Sequence, residues 1–283
     1  MGQTVFLADN LLNGRIYPLH SITAEEEPAG FEAWRVASGR REGTSYATAS
    51  TANSDWWLKV VCDRLRAANV LVLDRGHNLD GKAVKLQWSP DNTVWLDIIN
   101  LTALPSAPGG TLDAIYGTAG VWGAVTDEGA WIVRFPVTAA VYWRLLIPAM
   151  GAGLTPQIPG LWLGRAYETT ALTRPIAEGG HQLVGEMAES AAGWLGFDRR
   201  TPRREGTFEL ELPDVFEYEL LRLHLEGLYG HGRPMWIVWD DEQADDALLA
   251  ILPPGRIGAR REPRWFYHKC TVPYIEHEPL EAA

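Results

Sequence analysis

Between residues 30 and 168 the chain alternates short apolar runs with clusters of turn-forming residues, and no stretch longer than two turns keeps the 3.6-residue period of an amphipathic helix. The runs at 56–62, 69–73, 83–88, 95–99, 131–135, 141–147 and 161–167 each predict a strand. Leu79-Asp80-Gly81, Ser89-Pro90-Asp91-Asn92, the Pro- and Gly-rich stretch 105–110 and Gly151-Ala152-Gly153 separate them, each supplying a residue that tolerates or pre-sets turn geometry. Many short strands at regular spacing predict a sandwich or barrel.

Residues 169–180 are polar, carry Pro175 and two glycines, and mark a predicted domain boundary. Beyond it the pattern changes. Residues 181–189 and 207–212 alternate like half-buried strands, and then comes the one strong helical signal, 214–226. Asp214 can accept from first-turn amides and Glu217 completes a capping box. Phe216, Leu220 and Leu223 form an apolar stripe that Leu221, Leu225 and Leu228 widen. Residues 235–239, 248–252 and 266–275 predict three further strands. The predicted fold is mainly β: a jelly-roll sandwich over 1–170, then a smaller β-sandwich domain with one packed helix over 171–283.

Composition narrows the function classes. With 46% hydrophobic and 22% charged residues the chain is expected to be globular. A formal net charge of −11, with arginine pairs scattered among acids, makes nucleic acid a poor partner. No run of 18 apolar residues predicts a membrane span, and the first residues lack an export-signal pattern. Two cysteines, Cys62 and Cys270, have neither zinc-site nor disulfide-framework spacing and are expected to be buried thiols. Thirteen tryptophans are the outlying number, nine of them before residue 170. Most are expected in the core, and at this density some also suit a sugar-facing surface.

Motifs for zinc proteases, nucleophilic hydrolases, Walker phosphate loops and dinucleotide folds are absent from the sequence. The acidic run 240–246 lacks the Gly and Glu of a calcium loop, having Asp245 and Ile251 at those positions. His181 with Glu178, Glu186 and Glu189 is the best acid/base cluster, but strand alternation is expected to split it between two faces. The chain is therefore expected to be no enzyme and to need no metal or cofactor. Glycan contacts are expected at loop residues Trp34, Arg40, Arg41 and His77, because aromatic faces and guanidinium forks suit sugars and their acidic substituents.

Three stretches carry a family resemblance: 53–60 leading to Leu71-Val72-Leu73-Asp74, then 84–95, then 141–147. They resemble the galactose-binding-like jelly roll of discoidin (coagulation factor 5/8 C-type) domains, whose Ser-x-Asp-x-x-x-Trp pattern stands here as Ser89-Pro90-Asp91-Asn92-Thr93-Val94-Trp95. The resemblance implies that Trp95 packs into the jelly roll. Many discoidin domains close their ends with a disulfide, and here Cys62 has no partner in that half. Residues 176–283 resemble, by order of elements, the ring-forming domain of phage distal tail proteins: a basic stretch from Arg199 to Arg204, an alternating strand, a helix, a Pro-aromatic strand and a closing strand.

The two resemblances together imply a structural virion protein of a phage tail tip or baseplate. Its second domain would form a homohexameric ring through Leu221, Leu225, Leu228, Trp236 and Trp239, and its first would display a carbohydrate-binding-like face. Expected partners are the tail tube, hub and tape-measure proteins and a host-surface glycan. The alternative is a stand-alone carbohydrate-binding module or lectin, or the binding module of a glycan-active enzyme.

Overall fold

A computed structural model of the chain describes residues 5–12, 21–37, 47–48, 54–103, 122–126, 129–151, 153–168, 175–182, 187–189, 195–197, 203–212, 225, 234–239, 247–252, 258–260 and 268–276. The chain forms two compact units, one of residues 1–168 with 238–247 and 279–283, the other of residues 169–237 with 248–278.

The first unit contains β1 (Val5–Asn10), β2 (Ser21–Ala24), a 3₁₀ helix (Ala33–Ala37), β3 (Ala47–Thr48), β4 (Trp56–Leu73), β5 (Val84–Ser89), β6 (Leu96–Leu101), β7 (Trp122–Val125), β8 (Trp131–Ile147), β9 (Gln157–Ile158) and β10 (Leu161–Glu168). β4 and β8 pair antiparallel from Trp56↔Ile147 to Leu73↔Trp131. Their register slips twice. From Val61↔Tyr142 to Arg66↔Ala140, β4 advances five residues while β8 advances two; from Ala68↔Thr138 to Val70↔Arg134, β8 advances four against two. Such bulges bend a strand and let it pass from one sheet to another. Asp63 chelates the Arg66 guanidinium at 2.8 Å on the first bulge, and Pro136, with no N–H to give, stands on the second.

Each long strand thus serves two sheets. One has the order β2, β4, β8, β5, β6, using the early part of β4 and the late part of β8. The other has the order β1, β10, β4, β8, β7, using the remaining parts. The period of two decides what lies between them. On β4, Trp56, Leu58, Val60 and Cys62 point inward; on β8, Trp143, Leu145 and Ile147 do. They share one core cluster with Leu71, Leu73, Val133, Phe135, Leu161 and Leu163 from the other sheet. A Cβ on Gly164 would collide with the Asp9 carbonyl, so β1 approaches β10 as only glycine allows.

The second unit contains β11 (Pro175–Gln182), β12 (Met187–Glu189), β13 (Leu195–Phe197), β14 (Arg203–Leu212), β15 (Pro234–Val238), β16 (Ala247–Ile251), β17 (Gly258–Arg260) and β18 (His268–Glu276). β14 and β18 pair over eight residues, from Glu205↔Ile275 to Leu212↔His268; β11 flanks β14, while β16 and β17 pair with β18. Val272, Tyr274 and Glu276 alternate inward along β18, and all of β15 is buried.

The molecule is mainly β and antiparallel throughout its described pairings, as the sequence pattern predicts. Three readings differ. Runs 56–62 and 69–73 are one strand, as are 131–135 and 141–147, because the intervening residues bulge instead of turning. β1 and β2 precede the predicted start of the sheet structure at residue 30. Residues 175–180 of the predicted boundary belong to β11, its Pro175 tolerated at the first position of a strand. Of the predicted helix 214–226, Leu225 is helical and buried and the rest lies outside the described residues.

Truncation of fully buried Trp143 to Ala is expected to cost about 3–5 kcal/mol, whereas Trp95→Ala, at a partly exposed position outside the core cluster, will cost about 1 kcal/mol. Urea unfolding of both variants checks this, and equal costs would return Trp95 to the core. Burial pushes the Cys62 thiol up to about 12 from its ordinary 9.0. Because the folded pKa is the higher one, stability from the neutral thiol is complete below 9 and is lost as the pH rises towards 12. At pH 8 Cys62 will resist an iodoacetamide pulse in the native chain and react in urea, read by peptide mapping; rapid native labelling would show that the site is open.

Candidate functional site

The outward side chains of β2, β4, β8, β5 and β6 form a face that the inward period leaves behind. Cross-strand register arranges it in rows. Lys59 stands opposite Arg144, Arg144 opposite Gln87, and Gln87 opposite Asp97. The adjacent row runs Trp57, Leu146, Lys85, Asn100, and on the other side lie Val61 and Tyr142. Across four strands such a row spans about 14 Å at the usual spacing.

The central row is wired. Arg144 donates from Nε and Nη2 to Gln87 Oε1 at 2.9 and 2.6 Å, Gln87 Nε2 donates to Asp97 Oδ1 at 2.5 Å, and Asn100 Nδ2 donates to Asp97 Oδ2 at 2.8 Å. Lys85 Nζ lies 3.9 Å from Asp97 Oδ2. Partial burial lowers the Arg144 pKa, opposed by Asp97 and Glu25 nearby. Two rings brace the cations: the Arg144 guanidinium stacks 4.2 Å from the Trp95 centroid, and Lys59 Nζ lies 5.2 Å from that of Trp57.

The loop from β5 to β6 sets Trp95 in place. Asp91 Oδ1 accepts from the Thr93 and Val94 amides at 2.9 and 3.0 Å and from the Ser89 hydroxyl at 3.2 Å. These donors hold the Asp91 carboxyl far below the usual carboxylate range. Asn92 takes the left-handed conformation, φ 64°, that the reversal requires, and its Oδ1 accepts from Lys59 Nζ at 3.5 Å. The Ser-x-Asp-x-x-x-Trp pattern is therefore a turn that delivers its Trp to the outer face. Trp88, next along β5 after Gln87, is the ring that packs against the core.

Elsewhere, Trp34 projects from the 3₁₀ helix with 57% of its surface exposed. Arg35 lies 5.3 Å from its ring centroid and is tied to Glu32 at 2.7 Å, an interaction that lowers the Glu32 carboxyl to about 2. The predicted contact residue His77 has an imidazole only 3% exposed, its Nδ1 accepting from the Leu79 amide at 3.3 Å, and desolvation lowers its pKa. Arg40 and Arg41 lie outside the described residues. Of the predicted assembly residues, Leu225 and Trp236 are buried, Trp239 is partly exposed, and Leu221 and Leu228 lie outside the described residues.

Among the described residues no group of three or more His, Cys, Asp or Glu side chains could hold a metal ion. No described helix is long and apolar enough to cross a membrane. In the predicted acid/base cluster, Glu178 and His181 stand on β11 across a register shift, Glu189 belongs to the separate β12–β13 pair, and Glu186 lies outside the described residues. The face of Trp57, Lys59, Gln87, Trp95, Asp97 and Arg144 was not among the predicted sites. Its signal was the odd-numbered alternation from Trp57 to Val61, outward by the same period that sends Trp56, Leu58 and Val60 inward.

No family model matches the chain, and no curated protein matches it. Solved structures do. Chitosan-binding module 1 from a Paenibacillus sp. IK-5 chitosanase/glucanase aligns over 54% of this chain and 97% of its own, at 18% identity and a TM-score of 0.39. A Clostridium perfringens CBM32 module in complex with GalNAc-β-1,3-galactose aligns over 55% and 99%, at 13% identity and 0.40. A Ruminococcus gnavus GH29 fucosidase in complex with fucose aligns over 57% of this chain and 28% of its own, at 10% identity and 0.42. At these scores the likeness bears on neither ligand nor activity.

Proposed function

We propose that the chain is a non-catalytic binding protein whose first unit recognises carbohydrate. One observation carries the reading: Trp34 stands 57% exposed on a short helix, its ring lined by Arg35, which Glu32 holds in place. An indole kept in water forgoes the gain of burial, and a rigid aromatic plate beside a guanidinium is what stacks on a sugar ring while donating to its hydroxyls. The sequence carries no motif of a zinc protease, nucleophilic hydrolase or phosphate-binding loop, which favours binding over turnover.

The finer reading, a tail-tip component that builds a ring from residues 171–283, rests on the order of elements in the sequence. Two of its five interface candidates, Leu225 and Trp236, are buried within this chain, so glycan binding takes precedence.

The test is a glycan array followed by calorimetric titration of the best ligand. Trp34→Ala is expected to weaken binding by about tenfold or more while leaving the melting temperature nearly unchanged, since so exposed a ring contributes little to folding. A blank array, or a Trp34→Ala variant that binds as the parent does, would reject the proposal.

A further inference from the structure

The outer face of the first unit contains a local conflict. Lys59 and Arg144 are direct cross-strand partners on adjacent antiparallel strands, and both side chains are on the outward face. Like charges directly opposite one another destabilise a sheet. Neither has a carboxylate within ion-pair distance among the described residues; their partners are Asn92 and the Trp57 ring for Lys59, and Gln87 and the Trp95 ring for Arg144. The other charged groups of the face are Lys85, which lies 3.9 Å from Asp97, and the acids Asp97 and Glu25, both of which act on Arg144 at coulombic range. In a chain of net charge −11, with 36 acidic residues available, an acid at position 59 or 144 would have removed the repulsion.

A local rule broken with only partial, longer-range compensation marks a candidate functional position, and this one is pre-organised. The Arg144 fork is fixed by two hydrogen bonds to one amide oxygen, and each cation is backed by an indole. A ligand suited to the arrangement carries an anionic group to lie between the two cations and an apolar ring face to meet Trp57 or Trp95. The geometry points to a binding site for an acidic saccharide, a uronate-bearing glycan whose carboxylate bridges Lys59 and Arg144 while its ring stacks on one of the flanking tryptophans. Beyond buried Gln87, Asp97 in the same row and Asn100 in the adjacent one are exposed hydrogen-bonding groups for neighbouring hydroxyls. This site stands apart from the Trp34 argument and does not depend on it.

Calorimetry of the full chain with trigalacturonate, its methyl ester and neutral galactotriose tests the site, together with Lys59→Thr, Arg144→Gln and melting curves without ligand. Trigalacturonate is expected to bind at least about tenfold more tightly than its ester or the neutral trisaccharide, and each substitution to remove about that factor. Lys59→Thr is also expected to raise the melting temperature by about 1–2 °C, because it relieves the repulsion. A loss of affinity with a gain of stability is a signature that a merely structural lysine would not give. Equal affinity for acid and ester, no binding of trigalacturonate, unchanged affinity in both variants, or a lowered melting temperature for Lys59→Thr would each overturn the site. Neutral-glycan binding that is lost in Trp34→Ala but untouched by Lys59→Thr would overturn it while leaving the earlier reading intact.

Discussion

The pairing of β4 with β8 is the constraint on which the first unit depends. These two strands run side by side from Trp56↔Ile147 to Leu73↔Trp131, and every other strand of their two sheets attaches directly or through one neighbour to them. The core follows from their alternation. Trp56, Leu58 and Val60 meet Trp143, Leu145 and Ile147 on one side of the bend, and Leu71, Leu73, Trp131 and Val133 continue the cluster on the other. The bulges turn one pair of strands into both walls of a sandwich, and they expose Leu65 at 67% and Val137 at 63% because the extra residues have no inward place.

The strand segments of this unit were legible in the sequence because period-2 patterning acts locally. Continuity across a bulge was not. The stretch Asp63-Arg64-Leu65-Arg66 has the polarity of a turn, and only its position between two runs that both pair with β8 shows that the strand continues. Pro136 misleads in the same way, since it removes one ladder donor and a bulge needs none there. The Ser-x-Asp-x-x-x-Trp turn was recognisable, including the capping role of Asp91, yet the side of the sheet on which Trp95 lies depends on the slip in the β5–β6 register between Leu86 and Gln87. A slip of one residue reverses every face.

The sites differ in legibility for a related reason. Trp34 could be picked out as an aromatic beside arginine on a segment without strong periodicity, and it is exposed. His77 carried the same surface signal, but hydrogen bonds from Asn78 to the Thr155 carbonyl and to Asn78 from the Gln157 amide fold the neighbouring segments together. The Lys59–Arg144 pair could not be seen along the chain at all, because its members are brought together only by the β4–β8 register. Functional geometry on a sheet face is a property of pairing, whereas geometry on a loop is partly a property of sequence.

The same pairing sets the order in which the unit can be built. Closing β4 on β8 joins residues roughly 60 to 90 positions apart, a long loop for which chain entropy must be lost before the core repays it. A ribosome that has made β4 must add a further stretch through Ile147 before Trp56, Leu58, Val60 and Cys62 find their partners, and β1 waits longer still, for Gly164 to Glu168. From the completion of β4 at Leu73 until β8 is complete at Ile147, a long strand carrying Trp56 and Trp57 is therefore an open edge, and over that interval the nascent chain is vulnerable to mispairing.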